Sequence, residues 1–449
     1  MNRAVRFPAK AGVIESLLCL IIVAGLVSCV VALCREGYLP SPFFYHADDD
    51  LMDWYNTAYW AQHPGAYDVW QTIYPPISFV FLKVLSLHSC YAMDPLLGRG
   101  CDWMGRAAML TLYAANGLIA LACYWRRDRR TAAFRTLALM LGFPMLCALD
   151  RGNLVIACFT FFALGLGGLL ASARWRWLAI ALSINFKPYV IAAVAPWVLR
   201  RRWRWLLGLA IAVLGVYVAS YVSLGEGNPV QILTNELIWA IAPGRSYFEA
   251  FYAASSFKSV IAYVDHSVLI HDVFGPGGAA LMTRLGTILV VLGQVGAAAV
   301  FAAVAFGRRA ERRRVAALAV SLVLTTTEIG AYADIFLLFL VFLEPWRGRA
   351  AVVALVCAYL ICIPADIALA TLGHRTEFSY LTQRSVDVAV TLNLGSFARP
   401  ALVLIIQYAL IAAIVGEMRQ AHGAERRRRA RAEGALPRHT VAAGPPLSP

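Results

Sequence analysis

Long apolar runs separated by short arginine-rich stretches set the pattern of this chain. Runs at 11–34, 107–125, 132–149, 154–172, 205–223, 282–306, 350–372 and 399–417 approach the length needed to cross a bilayer. Two further apolar stretches, 177–199 and 315–346, are basic on both flanks. The first is too short for two crossings at about 1.5 Å per residue, so it predicts a broken hairpin. Its turn falls at Asn185-Phe186-Lys187-Pro188, because Pro188 removes a backbone donor and disfavours helix at Lys187. The second stretch breaks around 325–334. Non-helical backbone at membrane depth needs cover from protein or a wet cavity. The expectation is an all-α polytopic membrane protein of about 10–12 helical segments, including two broken hairpins.

Basic clusters orient the segments, since arginine and lysine collect on the cytoplasmic side. Arg3, Arg6 and Lys10 place the N-terminus inside, and the first helix reads as uncleaved. The next cluster, Arg126 to Arg135, leaves 35–106 as one long outer loop. Within it, 76–93 carries Lys83 and His88 and is expected to lie at the interface. Asp150 to Asn153 falls on the same outer side, as do 224–280 (with an amphipathic stretch at 247–264) and 373–398. Residues 1–418 form one integral-membrane domain. The remainder, 419–449, is basic and then Ala/Gly/Pro-rich, and reads as a disordered cytoplasmic tail near anionic lipid.

Composition sharpens this in two places. The chain is 60% hydrophobic and 15% charged, which excludes an ordinary soluble domain. Its net charge of +14 sits between apolar segments, so it marks topology and implies no nucleic-acid partner. Most of the ten cysteines lie inside apolar runs and no CxxC pair occurs, which leaves zinc and redox readings without support. Cys90 and Cys101 share the outer loop and can pair if that side is oxidising.

The candidate chemistry is concentrated in His46–Pro76. Asp48, Asp49, Asp50, Asp53 and Asp68 are interleaved there with Trp54, Tyr55, Tyr59, Trp60, Tyr67, Trp70 and Tyr74. The plain reading is a solvated acidic loop with an aromatic belt; the other is interfacial chemistry on a polar substrate. Lys187, at a helix break near mid-bilayer, can bind a phosphate or snorkel. Glu328 and Asp334 hold the corresponding place in the second break. Arg151 and Asn153 either reach toward the acidic loop or form a local Asp150–Arg151 ion pair with Asn153 as cap. Arg245, Lys258, Arg375 and Arg384 are further outer-side cations. His46 and His63 match no strong ligand spacing, so no metal is expected.

The order of these features resembles integral-membrane glycosyltransferases of the C superfamily, especially glycosyltransferase family 87. Asp50-Leu51-Met52-Asp53-Trp54-Tyr55-Asn56-Thr57-Ala58, followed by Gly65, Tyr67 and Tyr74-Pro75-Pro76, is similar to that family's outer-loop pattern. Arg151-Gly152-Asn153 and Lys187-Pro188-Tyr189 look like two later family segments, so the matches run in order over about 46–205. The resemblance implies transfer of a hexose, most simply mannose, from a polyprenyl-phosphate donor to a glycan or glycolipid. It places this at the outer face of a bacterial inner membrane, without a cofactor and with inversion at the anomeric carbon. Asp50 would be the base, with Asp49 in reserve; Tyr55, Tyr74, Arg151, Asn153 and Lys187 would bind substrate. A transporter or flippase, which also builds midplane sites from broken helices, and a polysaccharide polymerase stay open as alternatives.

Overall fold

The computed structural model describes residues 8–241, 246–253 and 255–434. Among the described residues six helices are long and apolar enough to cross a membrane: Gly12–Glu36, Trp103–Arg127, Ala132–Asp150, Trp203–Leu224, Val268–Ala305 and Leu394–Ala424. The protein is thus an all-α, multi-pass membrane protein. At its centre stand two short helices, Val155–Leu166 and Asp334–Phe342. Both are apolar on every side, the composition that belongs in a core. Phe159 packs edge-on against Phe339 at 5.5 Å, and Phe336 through Phe342 are almost wholly buried. Around them the longer helices turn apolar faces outward, as at Leu207, Ile211 and Leu214.

Both expected breaks are present. Ala173–Phe186 stops at Lys187, whose extended backbone leads into a 3-10 turn over Pro188–Val194 and a short helix Ala195–Leu199. The second stretch runs as Arg312–Thr326, a 3-10 turn Ala331–Ala333, and Asp334–Phe342.

Two buried charges tie the first helix to the arginine-rich end. Glu15 and Arg135 are fully buried, with Arg135 Nη2 donating to Glu15 Oε1 at 2.9 Å. Tyr359 donates to the other Glu15 oxygen at 2.7 Å, Trp346 Nε1 also donates to Glu15, and Arg135 donates to the carbonyls of Phe342 and Glu344. Both Glu15 oxygens and all three Arg135 nitrogens therefore have partners, which is what lets a charge pair persist in a dry interior.

Several expectations need correction. The stretch 76–93 is not one interfacial helix: Pro76–Val84 is helical, His88–Tyr91 is a single 3-10 turn, and Pro95 starts a new helix to Cys101. Cys90 and Cys101 are disulfide-bonded, with Cα atoms 5.6 Å apart. The run 350–372 is helical only over Arg349–Ile361. Beyond Pro364 the chain forms an antiparallel hairpin, β1 (Ala368–Ser379) and β2 (Arg384–Asn393). Its alternating Val386 and Val388 turn inward against Tyr45 and Tyr252, as a half-buried strand requires. The tail expected to be disordered from 419 begins as a continuation of the last helix, which runs to Gly434; 435–449 lie outside the described residues.

Candidate functional site

The acidic loop is held by the segment that starts the central helix. Asp150 and Arg151 offer their carbonyls to the amides of Leu51 (2.6 Å) and Asp53 (3.0 Å). Leu51 sits at φ 63°, in the left-handed region that a bulky residue rarely adopts. The opposing residue is Gly152, itself at φ +62°, where a Cβ would lie 2.7 Å from the Leu51 carbonyl oxygen. Glycine is required there by both conformation and close approach.

Side chains complete the clamp. Arg151 pairs with Asp49 through Nη1 and with Asp53 through Nη2, the latter at 3.1 Å. Asn153 donates to the second Asp53 oxygen at 2.7 Å while its own carbonyl caps the Val155 amide at 3.0 Å. Asn153 is thus both cap and loop anchor. The local Asp150–Arg151 pairing gives way to ion pairs that span about a hundred residues of sequence, at separations of 102 and 98. From the far side Arg99 Nη1 donates to the carbonyls of Asp48 and Asp50, each at 2.7 Å, and its guanidinium lies 4.1 Å over the Tyr380 ring.

The four aspartates consequently differ. Burial opposes ionisation of Asp53, but Arg151, Asn153 and Lys187 together hold its pKa below the usual value. Asp50, placed first as a base, is only 8% exposed, and its carboxyl hydrogen-bonds to that of Asp150. Burial first, and then Asp150, raise its pKa, so the Asp50–Asp150 pair holds a shared proton above the usual carboxylate range. The Asp49 side chain is 33% exposed and engages Arg151 through one oxygen. Of the three carboxylates in the clamp Asp49 is the most exposed; Asp48 is more exposed still but sits with His46 and Glu377.

Lys187 and Tyr74 join this cluster. Lys187 Nζ sits 4.6 Å over the Tyr74 ring, and its charge acts on Asp53. The Tyr74 hydroxyl bonds to Thr57, and Asp53 and Tyr332 are its charged and phenolic neighbours. No carboxylate lies within ion-pairing distance of Lys187 among the described residues, whereas Arg151 is already committed on both sides. Tyr55 does not join. It is fully buried beneath the loop with Arg106, Tyr380 and Asp102 as nearest charges, so it supports the loop from behind. Arg384 points to the Arg35 carbonyl, Lys258 is exposed on Phe257–His266, and Glu328 is exposed. Arg245 lies outside the described residues.

An apolar groove of about 740 Å³ runs down the outside of the broken hairpin. Pro75, Pro188, Ile191, Val198, Leu206 and Val213 are among its walls. Pro75 and Pro188 are the sequence neighbours of Tyr74 and Lys187, so two walls of the groove adjoin the charged cluster along the chain. Val155–Leu166 and Ala173–Phe186 span about 18 and 21 Å at 1.5 Å per residue, less than the roughly 30 Å hydrocarbon thickness.

One group with metal-ligand chemistry was missed in the sequence. His46, Asp48 and Glu377 bring their ligand atoms within 4.8 Å of one another. Glu377 arrives from β1, accepts from the Ala47 amide at 2.7 Å and meets His46 Nδ1 at 3.0 Å. Arg375 Nη1 lies 3.2 Å from His46 Nε2, which puts a guanidinium where a cation would sit. The arrangement suits locking the hairpin to the loop better than holding a metal.

No protein-family model, curated protein or solved structure matches this chain.

Proposed function

We propose that the protein is a glycosyltransferase that moves a hexose, mannose in the simplest case, from a polyprenyl-phosphate donor to a glycan or glycolipid acceptor. The site would face the outside of a bacterial inner membrane. What supports this reading is an apolar groove walled by Pro75 and Pro188, the sequence neighbours of Tyr74 and Lys187, together with the Lys187 ammonium 4.6 Å over the Tyr74 ring. A prenyl chain in the groove delivers its phosphate to a cation with no carboxylate partner. The acceptor hydroxyl then attacks the anomeric carbon, the bond from that carbon to the phosphate oxygen breaks, and the configuration inverts. Asp49 takes the hydroxyl proton; Lys187 stabilises the charge left on the departing phosphate. Arg151 and Asn153 keep Asp49 and Asp53 in place. Asp50, sharing a proton with Asp150, fixes the turn that presents Asp49.

The test is transfer of radiolabelled mannose from polyprenyl-phosphate mannose by the purified protein in proteoliposomes. Asp49→Asn should lose about 10²–10⁴-fold in rate, the usual cost of removing a general base, with donor binding retained. A larger loss for Asp50→Asn, with Asp49→Asn active, returns Asp50 to the role of base. Movement of labelled lipid across the bilayer without any transfer would replace the enzyme with a flippase.

A further inference from the structure

At the opposite end from the acidic loop, a second cavity of about 670 Å³ opens between two helix ends. Arg200, Arg201, Arg202, Arg308 and Arg309 line it, and no carboxylate does. A preference for cytoplasmic arginine explains why such residues lie at this end, but not why five converge on one hollow. Three other arginines at this end are paired: Arg127 with Glu311 at 3.1 Å, Arg314 with Glu344 at 2.7 Å, and Arg135 with Glu15. Among the described residues, none of the five cavity arginines has a carboxylate within ion-pairing distance. Arg200 donates to the Ala310 carbonyl, and Arg308 meets His422 Nδ1 at 3.3 Å.

The backbone presents them deliberately. Both walls are helix-ending turns of one design. The Arg202 amide donates to the Trp197 carbonyl at 3.0 Å, and the Arg308 amide donates to the Ala303 carbonyl at 3.0 Å. In such turns the residue before the donor adopts the left-handed conformation, normally as glycine. Gly307 does so at φ +90°, but on the facing wall the position is Arg201, at φ 52°. An arginine is thus kept where glycine would relax the chain, and a side chain held against backbone preference is a pointer to use. Trp203 and Phe306, 64% and 85% exposed, are the chain neighbours of Arg202 and Gly307 in its walls and supply the kind of apolar surface that sits at a bilayer interface.

We propose that this cavity binds a phosphate-bearing anion, the headgroup of an anionic membrane phospholipid, from the arginine-rich side of the membrane. The headgroup phosphate accepts from the guanidinium groups in forked fashion, and the acyl chains leave past Trp203 and Phe306. This site is independent of the transferase reading, since it shares no residue with the acidic loop.

The experiment compares the full chain in nanodiscs of phosphatidylcholine alone and of phosphatidylcholine with phosphatidylglycerol. Retained lipid is read by native mass spectrometry after transfer to detergent. The wild type should retain phosphatidylglycerol selectively. Arg201→Gly combined with Arg309→Gln should weaken retention about thirtyfold, while the glycine keeps the turn and leaves thermal unfolding no lower. Arg129→Gln with Arg130→Gln removes equal charge at the same end outside the cavity and should change retention little. Equal loss in the two double variants, or no selective retention by the wild type, overturns the site. Inorganic phosphate that protects the cavity arginines from modification in plain phosphatidylcholine, with no lipid retained, overturns the lipid source.

Discussion

Gly152→Ala isolates what holds the acidic loop in place. Alanine at φ +62° costs about 1–2 kcal/mol relative to glycine. Its Cβ would also press on the Leu51 carbonyl oxygen at 2.7 Å and on the Leu51 Cα at 3.1 Å. All of these contacts are backbone, so the loop must move, and the amide bonds from Leu51 and Asp53 go with it. At roughly 1 kcal/mol each, they bring the penalty to about 3–4 kcal/mol on loop docking, or more than a hundredfold in the docked equilibrium. Hydrogen–deuterium exchange on the 48–58 peptide reads this directly: protection at Leu51 and Asp53 should fall about a hundredfold, while the central helices stay protected. On the function proposed above, sugar transfer should fall with it. Gly168→Ala is the control, because Gly168 has φ +83° but only Arg313 Nη2, at 3.9 Å, near the added carbon. Native protection of the loop in Gly152→Ala, or equal loss in both variants, would refute the close-approach argument.

Three further outcomes follow from the same geometry. Lys187→Met should raise the donor KM about 10- to 100-fold in membranes, the worth of a charge-assisted hydrogen bond, with the protein still inserted; an unchanged KM removes Lys187 from the phosphate. Because the fold raises the Asp50 pKa, the loop holds a proton that the unfolded chain gives up. That contribution is complete below the ordinary carboxylate range and is lost as pH rises through the raised value, so thermal stability should decline toward alkaline pH more in the wild type than in Asp50→Asn. Parallel profiles would dissolve the Asp50–Asp150 pair. Glu15→Ala should cost about 3–5 kcal/mol by stranding Arg135, and Glu15→Ala with Arg135→Met should recover most of it, measured as thermal unfolding in detergent; a single variant as stable as the wild type would show the pair to be solvated.

Much of the helical layout was legible in local pattern, because bilayer thickness imposes a length and Pro188 imposes a break. The crowded acidic loop was legible too, as an acidic and aromatic run. What could not be read was which aspartate does what, since that depends on contacts about a hundred residues apart. Arg151 and Asn153 were visible beside Asp150, but only the fold turns them toward Asp49 and Asp53. Tyr55 matched a spacing and proved to face the rear of the loop, because one face of a short helix must pack inward. The hairpin was within reach: Arg384-Ser-Val-Asp-Val-Ala-Val alternates with period two, yet it followed an apolar run long enough to be read as helix through 372. Glu15 gave no sign at all, since its partners lie 120, 331 and 344 residues away.

That last pairing has a consequence for how the chain is made. Glu15 leaves the ribosome early, inside the first apolar helix, and its guanidinium partner follows 120 residues later. At about 5–20 residues per second, that leaves an unpaired carboxyl waiting roughly 6–24 s before Arg135 is synthesised, and longer before Trp346 and Tyr359 arrive. During that interval the first helix is a poor lodger in lipid and a good substrate for whatever insertase shelters polar segments. Pairing of the first apolar helix with Arg135, Trp346 and Tyr359 thus makes release from the insertion machinery a late event in its biogenesis.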